Sequence, residues 1–340
     1  MDLNPIGKHR FIETLSSQRK PWYENYLVMY SSLWKGYVTD PALMVVPADD
    51  HLVHRGDGVF DVIRCAHGSF YQMESHLKRL QRSADAISIP LPEEFGRIRE
   101  LIGMLVVKGG QRDCLVRIIL SRGPGSFTVN PFDCPSSQMY INVIRYPKPP
   151  ARYYESGVSL ISSQIPLKTS FFARVKSCNY LPNVLMKREA LLAACDYAVG
   201  LDEDGCLTEG ATENIGVVSA DGYLKFPGFE RTLAGITVQR VAELASALVE
   251  EGTLRGTRFT VIPRAEAYQA REILIMGTSI NVVPVTKFDG NRVGTGLPGP
   301  VFSKLSALVE KDIRENQDLL TGLNWEGQSF EPLTGRALTC

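Results

Sequence analysis

Two hairpins stand in series between Tyr197 and Phe226: YAVGLDEDGCLTE turns at Asp204-Gly205, and NIGVVSADGYLKF turns at Asp221-Gly222. An Asp-Gly pair suits such a turn because glycine takes the positive φ that side chains resist. Helix patterns lie on either side. Pro182 opens one expected to reach about Cys195, with Val184, Leu185, Ala190 and Leu191 apolar. LAGIT leads into another, with Val238, Val241, Leu244, Ala245 and Leu248 on one face. Strands and helices that follow one another without strict alternation predict an α+β fold rather than a doubly wound sheet.

Upstream, ESHLKRLQRSADAI repeats Leu77, Leu80, Ala84 and Ile87 at helical spacing, which makes that face core and leaves Arg79, Arg82 and Asp85 off it. A second amphipathic helix ends at Gly109-Gly110. Two strands, CLVRIILS and QMYINVIRY, then bracket the loop RGPGSFTVNPFDCPSS. That loop has the glycines of a phosphate cradle without the lysine of GxxxxGK[ST], so it reads as a substrate-facing loop and not a nucleotide site. Gly56-Asp57-Gly58 reads as a tight turn, with too few further oxygens to hold a metal.

PKPPARYYESG, from Pro147 to Gly157, is the best linker in the chain. We therefore expect an N-terminal arm over residues 1–40, a small domain over 41–148, a larger one over 149–316 and a tail over 317–340. A chain of 340 residues, 44% hydrophobic, has ample material for such cores. Its 37 basic and 37 acidic side chains cancel, which gives no reason to expect nucleic acid or an anionic membrane as partner. No apolar run spans a bilayer, and MDLNPIGKHRFIETL lacks the apolar core of a signal peptide, so a cytoplasmic protein is expected. Seven scattered cysteines without a CxxC pair read as reduced thiols, and no metal site is expected.

The chemistry concentrates in FFARVKSCNYLPNVLMKREA and LTEGATEN. Lys176 follows an apolar approach of Phe171, Phe172 and Val175, and its amine becomes a nucleophile and base where such a wall disfavours the ammonium form. Glu209 ends a strand-like GCLTE before a small-residue turn. Held inside a packed domain, that carboxylate needs a cationic or protonated partner. A protonated pyridine nitrogen meets that need, and the alternative is a solvated turn carboxylate.

Arg79 in ESHLKRL, Lys176 in VKSCNYLPN, Glu209 in TEGATEN, Gly235-Ile236-Thr237 in LAGIT and Gly277-Thr278 in MGTSINVVPV, in that order, resemble the class IV (fold type IV) pyridoxal-phosphate enzymes. These include branched-chain and D-amino acid aminotransferases and 4-amino-4-deoxychorismate lyase. The resemblance covers about Met44 to Glu310. It implies a smaller N-terminal α/β domain, a larger C-terminal domain with a barrel-like β core, pyridoxal 5'-phosphate as cofactor, and a homodimer with its site at the interface. It further implies that Lys176 holds the cofactor and moves the proton, and that Glu209 faces the ring nitrogen. Tyr180 would face the phenolic oxygen, and Arg79, Gly235, Ile236, Thr237, Gly277 and Thr278 the phosphate.

For the substrate, Arg55, Arg117 and Ser279 are the candidates. Arg55 stands where the branched-chain and D-amino acid enzymes commonly have tyrosine, and the loop lacks the arginine-x-histidine pair of the D-amino acid enzymes. Arg117 in LVRII and the TVNP run look more like the branched-chain enzymes. Leu120-Ser121-Arg122-Gly123 echoes a run of the lyases, yet Thr278 falls where those often have asparagine. The expectation is a ping-pong aminotransferase acting on a branched-chain-like or D-amino acid and a 2-oxo acid. The alternatives are a lyase releasing pyruvate and a pyridoxal-phosphate-binding protein without turnover.

Overall fold

The structure, a computed structural model, describes residues 4–166, 168 and 170–325 and divides into two compact units. One holds residues 1–146 and 320–340, the other residues 147–319. No helix among the described residues is long and apolar enough to cross a membrane.

The first unit carries helices α1 (Lys8–Ser17), α2 (His51–Arg55), α3 (Met73–Ala86) and α4 (Ile98–Gly109). Its strands are β1 (Tyr26–Ser31), β2 (Gly36–Val38), β3 (Gly58–Ala66), β4 (Ser69–Tyr71), β5 (Cys114–Ser121) and β6 (Gln138–Arg145). With the short strand Leu320–Gly322 they form one sheet in the order Leu320–Gly322, β4, β3, β5, β6, β1, β2. All of its pairings are antiparallel. Part of the segment expected as an arm is therefore sheet. Val28, Met29 and Tyr30 are buried in β1, and a stretch that reads as polar overall contributes those apolar residues to the core. Residues 320–322, within the segment expected as a tail, likewise pair with β4, and residues 326–340 lie outside the described ones. Gly56 ends α2 at φ 64, the left-handed turn expected there.

The face of α3 is wider than its apolar spacing predicts. Leu77, Leu80 and Ala84 are buried as expected, but Arg79 is buried too, at 6% exposure. Its Nε and Nη2 donate to the fully buried Asp61 of β3 at 2.8 and 2.8 Å, and His76 Nδ1 lies 2.7 Å from the same carboxylate. A planar guanidinium meeting a carboxylate through two parallel bonds is the geometry that makes such burial tolerable.

The second unit carries α5 (Arg152–Glu155), α6 (Ser170–Ala173), α7 (Leu181–Leu192), α8 (Ile236–Leu244), α9 (Ser246–Glu250), α10 (Arg264–Ala267) and α11 (Pro300–Glu315). Its strands are β7 (Val158–Ser162), β8 (Tyr197–Leu201), β9 (Leu207–Gly210), β10 (Asn214–Val218), β11 (Tyr223–Phe226), β12 (Gly256–Phe259), β13 (Glu272–Gly277), β14 (Asn281–Phe288) and β15 (Asn291–Arg292). The sheet runs β12, β11, β10, β13, β14, β7, β8, β9, with β15 on β14, and β9 pairs back onto β10. That last pairing, Asn214 opposite Glu209, turns the path from β10 round to β9 into a barrel-like ring. Leu160, Val199, Ile215, Val217, Ile273, Ile275, Val283, Val285 and Phe288 share its core. Met186 and Ala190 of α7 pack on Ala198 of β8 and Ala211.

Both hairpins turn where expected, with Gly205 at φ 73 and Gly222 at φ 87. The helix begun at Pro182 stops at Leu192, short of Cys195. The one begun in LAGIT breaks after Leu244, so that Leu248 belongs to a separate short helix.

Candidate active site

Glu209 is the third residue of β9, at the seam of the ring. Its Oε2 accepts the Leu233 backbone N–H at 3.0 Å. Burial pushes its carboxyl up to about 7, against the Leu233 N–H and the charges of Lys176 and Lys168, which favour the carboxylate. A carboxyl held this high gains by facing a protonated ring nitrogen, because the new partner stabilises its charged form. Glu209 as a residue is half-buried, so it is shielded at the seam and not sealed off as expected.

The peptide that caps Glu209 belongs to the approach to α8. Leu233 N–H goes to Glu209, and Leu233 O accepts Asn214 Nδ2 at 3.1 Å and Gly235 N–H at 2.8 Å. Gly235 caps α8 with an ordinary φ of −66, so its backbone does not call for glycine. Space does: a Cβ there would lie 1.9 Å from Asn214 Oδ1. The ladder of α8 opens with Gln239 N–H on Gly235 O, which leaves the N–H groups of Ile236, Thr237 and Val238 ahead of it, the arrangement that binds phosphates. The Thr237 hydroxyl is not spent on capping the helix, since Gly235 occupies the cap position and no side chain caps it.

Lys176 is half-buried between α6 and α7, flanked by the buried Val175 and Ser177. Phe171 and Phe172 do not wall it in as expected. They are 43% and 54% exposed and meet each other edge to face, leaving Val175 as the buried member of the three. A lysine outside the motifs lies close by. Lys168 Nζ donates to Ser177 Oγ at 3.1 Å and stands 4.8 Å from the centre of the Tyr180 ring. Burial pushes the Lys168 ammonium pKa down, while Glu209 and Cys178 pull it up. Tyr180 immediately precedes α7. Gly277 ends β13, pairing with Asn281, and Thr278 and Ser279 form the half-buried turn into β14.

The second unit thus contains Lys176, Tyr180, Glu209, Gly235, Ile236, Thr237, Gly277, Thr278 and Ser279. The three arginines belong to the first unit. There Arg79 is the buried partner of Asp61. Arg55 is exposed and donates to Phe127 O at 2.5 Å and Thr128 O at 3.3 Å, pinning the loop that follows Arg122. Arg117 is exposed on β5, its guanidinium 5.7 Å from the Phe60 ring centre. Lys168 and Asn214 are the polar residues the motifs did not single out. The first had only its apolar surroundings as a signal, and the second stood inside the TEGATEN motif.

An amine, a phenol, a carboxyl suited to a protonated nitrogen and an open helix start are the donor set that pyridoxal 5'-phosphate requires, and they lie within one unit. The Amino-transferase class IV family pattern matches residues 58–288. The chloroplastic D-amino-acid transaminase of Arabidopsis thaliana is 37% identical over 292 residues, 86% of this chain and 78% of that protein. The putative branched-chain-amino-acid aminotransferase of Methanocaldococcus jannaschii is 32% identical over 78% of this chain and 90% of its own. Among solved structures, the T.th. branched-chain amino acid aminotransferase with pyridoxamine 5'-phosphate aligns at a TM-score of 0.81 and 25% identity, covering 88% of this chain and 99% of that one. The chain belongs to the class IV aminotransferases, pyridoxal-phosphate enzymes of fold type IV.

Proposed function

We propose that this enzyme moves the amino group of a D-amino acid to a 2-oxo acid in two half-reactions at one site. The observation that carries transamination is the seam of the ring, where Glu209, with its raised pKa, feels the charge of Lys176 and is capped by the peptide leading into α8. The handedness rests on the identity of 37% over 86% of the chain to a D-amino-acid transaminase. A branched-chain donor is the second reading, favoured by the absence of an arginine-x-histidine pair from the loop after Arg122.

When bound, pyridoxal 5'-phosphate supplies the electron sink for charge developing at the substrate's α-carbon and the carbon that exchanges the amino group. Lys176 Nζ would hold it covalently. Once displaced by the incoming amine, Lys176 would carry a proton to and from the substrate's α-carbon. Glu209 would keep the ring nitrogen protonated, and the Tyr180 hydroxyl would donate to the phenolic oxygen. The N–H groups of Ile236 and Thr237, with the Thr237 and Thr278 hydroxyls, would hold the phosphate. To Arg79 we assign the phosphate contact implied by the resemblance, and to Arg55, Arg117 and Ser279 contacts with the substrate. The resemblance also supports a homodimer as the active form, and the sequence, without an apolar span or signal-peptide core, supports a cytoplasmic one.

The test is the cofactor absorbance of the purified protein before and after separate D- and L-amino acid panels without acceptor. Loss of the band with D-amino acids supports the proposal, and loss only with branched-chain L-amino acids selects the second reading. A band that persists with every amino acid, while aminodeoxychorismate yields pyruvate, replaces both with the lyase.

A further inference from the structure

Asn214, the last residue of TEGATEN, meets LAGIT at Leu233 and MGTSINVVPV at Met276 without having been counted among the site residues. It begins β10, stands opposite Glu209 across the pairing that closes the ring, and on its other side stands opposite Met276, one residue before Gly277. Its amide works on one turn with both of its atoms. Nδ2 donates to Leu233 O at 3.1 Å, and Oδ1 occupies the space in which a Gly235 Cβ would sit 1.9 Å away. The same Leu233 peptide presents its N–H to Glu209 at 3.0 Å, and Gly235 opens α8.

We propose that Asn214 is a positioning residue that ties the carboxyl end of the site, Glu209, to its anion-binding end, the start of α8, by locking the turn Leu233–Gly235. It acts through the backbone that two motifs share. This extends the proposed function and rests on its placing of the ring nitrogen at Glu209 and the phosphate at α8. It also gives Gly235 a reason of its own. A side chain there would have to displace the neighbouring amide, whether or not a phosphate approaches. A hydrogen bond in an enclosed site, once lost, leaves both partners to find new ones, and here the peptide that loses its anchor is the one that caps Glu209.

Asn214→Ala, Gly235→Ala and the double variant, each in the full chain, test this. The readouts are the Glu209 titration, followed by side-chain carbon NMR of the protein without cofactor, and the dissociation constant for added pyridoxal 5'-phosphate. Asn214→Ala is expected to move the Glu209 titration further upward, since the N–H that favours its carboxylate loosens. It is also expected to weaken cofactor binding by about tenfold. Gly235→Ala weakens binding in the parent and costs less in the Asn214→Ala background, where the clash with the amide is gone and only the Val238 contact remains.

An unmoved Glu209 titration with unchanged cofactor binding in Asn214→Ala overturns the proposal. So does a Gly235→Ala cost that is the same in both backgrounds. Should the alanine variant not fold, Asn214→Ser, which removes the amide without adding a charge beside Glu209, faces the same two criteria for the turn. Failure of the parent protein to bind pyridoxal 5'-phosphate would defeat the proposed function. The Glu209 titration, read without cofactor, would still decide the role of Asn214.

Discussion

A carboxyl raised by burial leaves a signature in the pH dependence of stability. Glu209 has its ordinary value of 4.5 when the chain unfolds and about 7 when it is folded. Between those values the unfolded chain has lost a proton that the folded protein still holds. The folded state therefore loses stability as pH rises through that window and is level above it. The residue keeps some accessible surface, so the loss is expected at about 2–3 kcal/mol. Urea unfolding of the cofactor-free protein against Glu209→Gln, from about pH 5 to about pH 8, should show the variant gaining on the parent until the titration is complete. A constant difference would mean that the carboxyl is not raised. Lys168 acts on the same group. Its ammonium favours the Glu209 carboxylate, so Lys168→Met should shift the titration further upward, and a downward shift would contradict the placement of that lysine.

At the level of elements, the pairing of β3 with α3 depends on a charge that neither element shows by itself. Asp61 and Arg79 are both buried, and arginine stays protonated under all ordinary conditions. Asp61→Asn would leave that cation inside the unit without its counter-charge, at a cost of about 3–5 kcal/mol. All three tryptophans, Trp22, Trp34 and Trp325, belong to this unit, so the fluorescence-detected unfolding midpoint reads the loss directly. The pair also marks the limit of what the sequence shows. The hairpins at Asp204-Gly205 and Asp221-Gly222 and the helix start in LAGIT were legible because a turn or a cap is written in adjacent residues. The burial of Arg79 was not, because its cause lies 18 positions away on a strand, and helical spacing counts an arginine as surface. Asn214 escaped notice for a related reason. Its role exists only once β9 returns to β10, a pairing that no local pattern announces. Phe171 and Phe172 failed in the opposite direction, since apolar text beside Lys176 does not say which way the rings point.

Across the whole molecule, the groups suited to the cofactor, Arg79 apart, belong to the unit that a single pairing closes. The carboxyl at that closure is held against a pull toward the neutral form, and the start of α8 offers donors to an anion. A ligand that meets both groups binds the folded unit and not the unfolded chain, and at a hundredfold excess over its dissociation constant it adds about 2.7 kcal/mol of stability. Hydrogen exchange locates that gain. Pyridoxal 5'-phosphate should slow exchange at the Leu233, Ile236 and Thr237 amides and in β9 and β10, since these carry the capping peptide, the open helix start and the closing pair. Lys176→Ala should keep much of the phosphate-dependent slowing at Ile236 and Thr237 under excess cofactor while losing its persistence after cofactor is removed, because the covalent tether and the anion site are separate contributions. Slowing that is absent from the start of α8 would remove that helix from the site, whereas slowing there that survives washing in Lys176→Ala would remove the lysine as the tether.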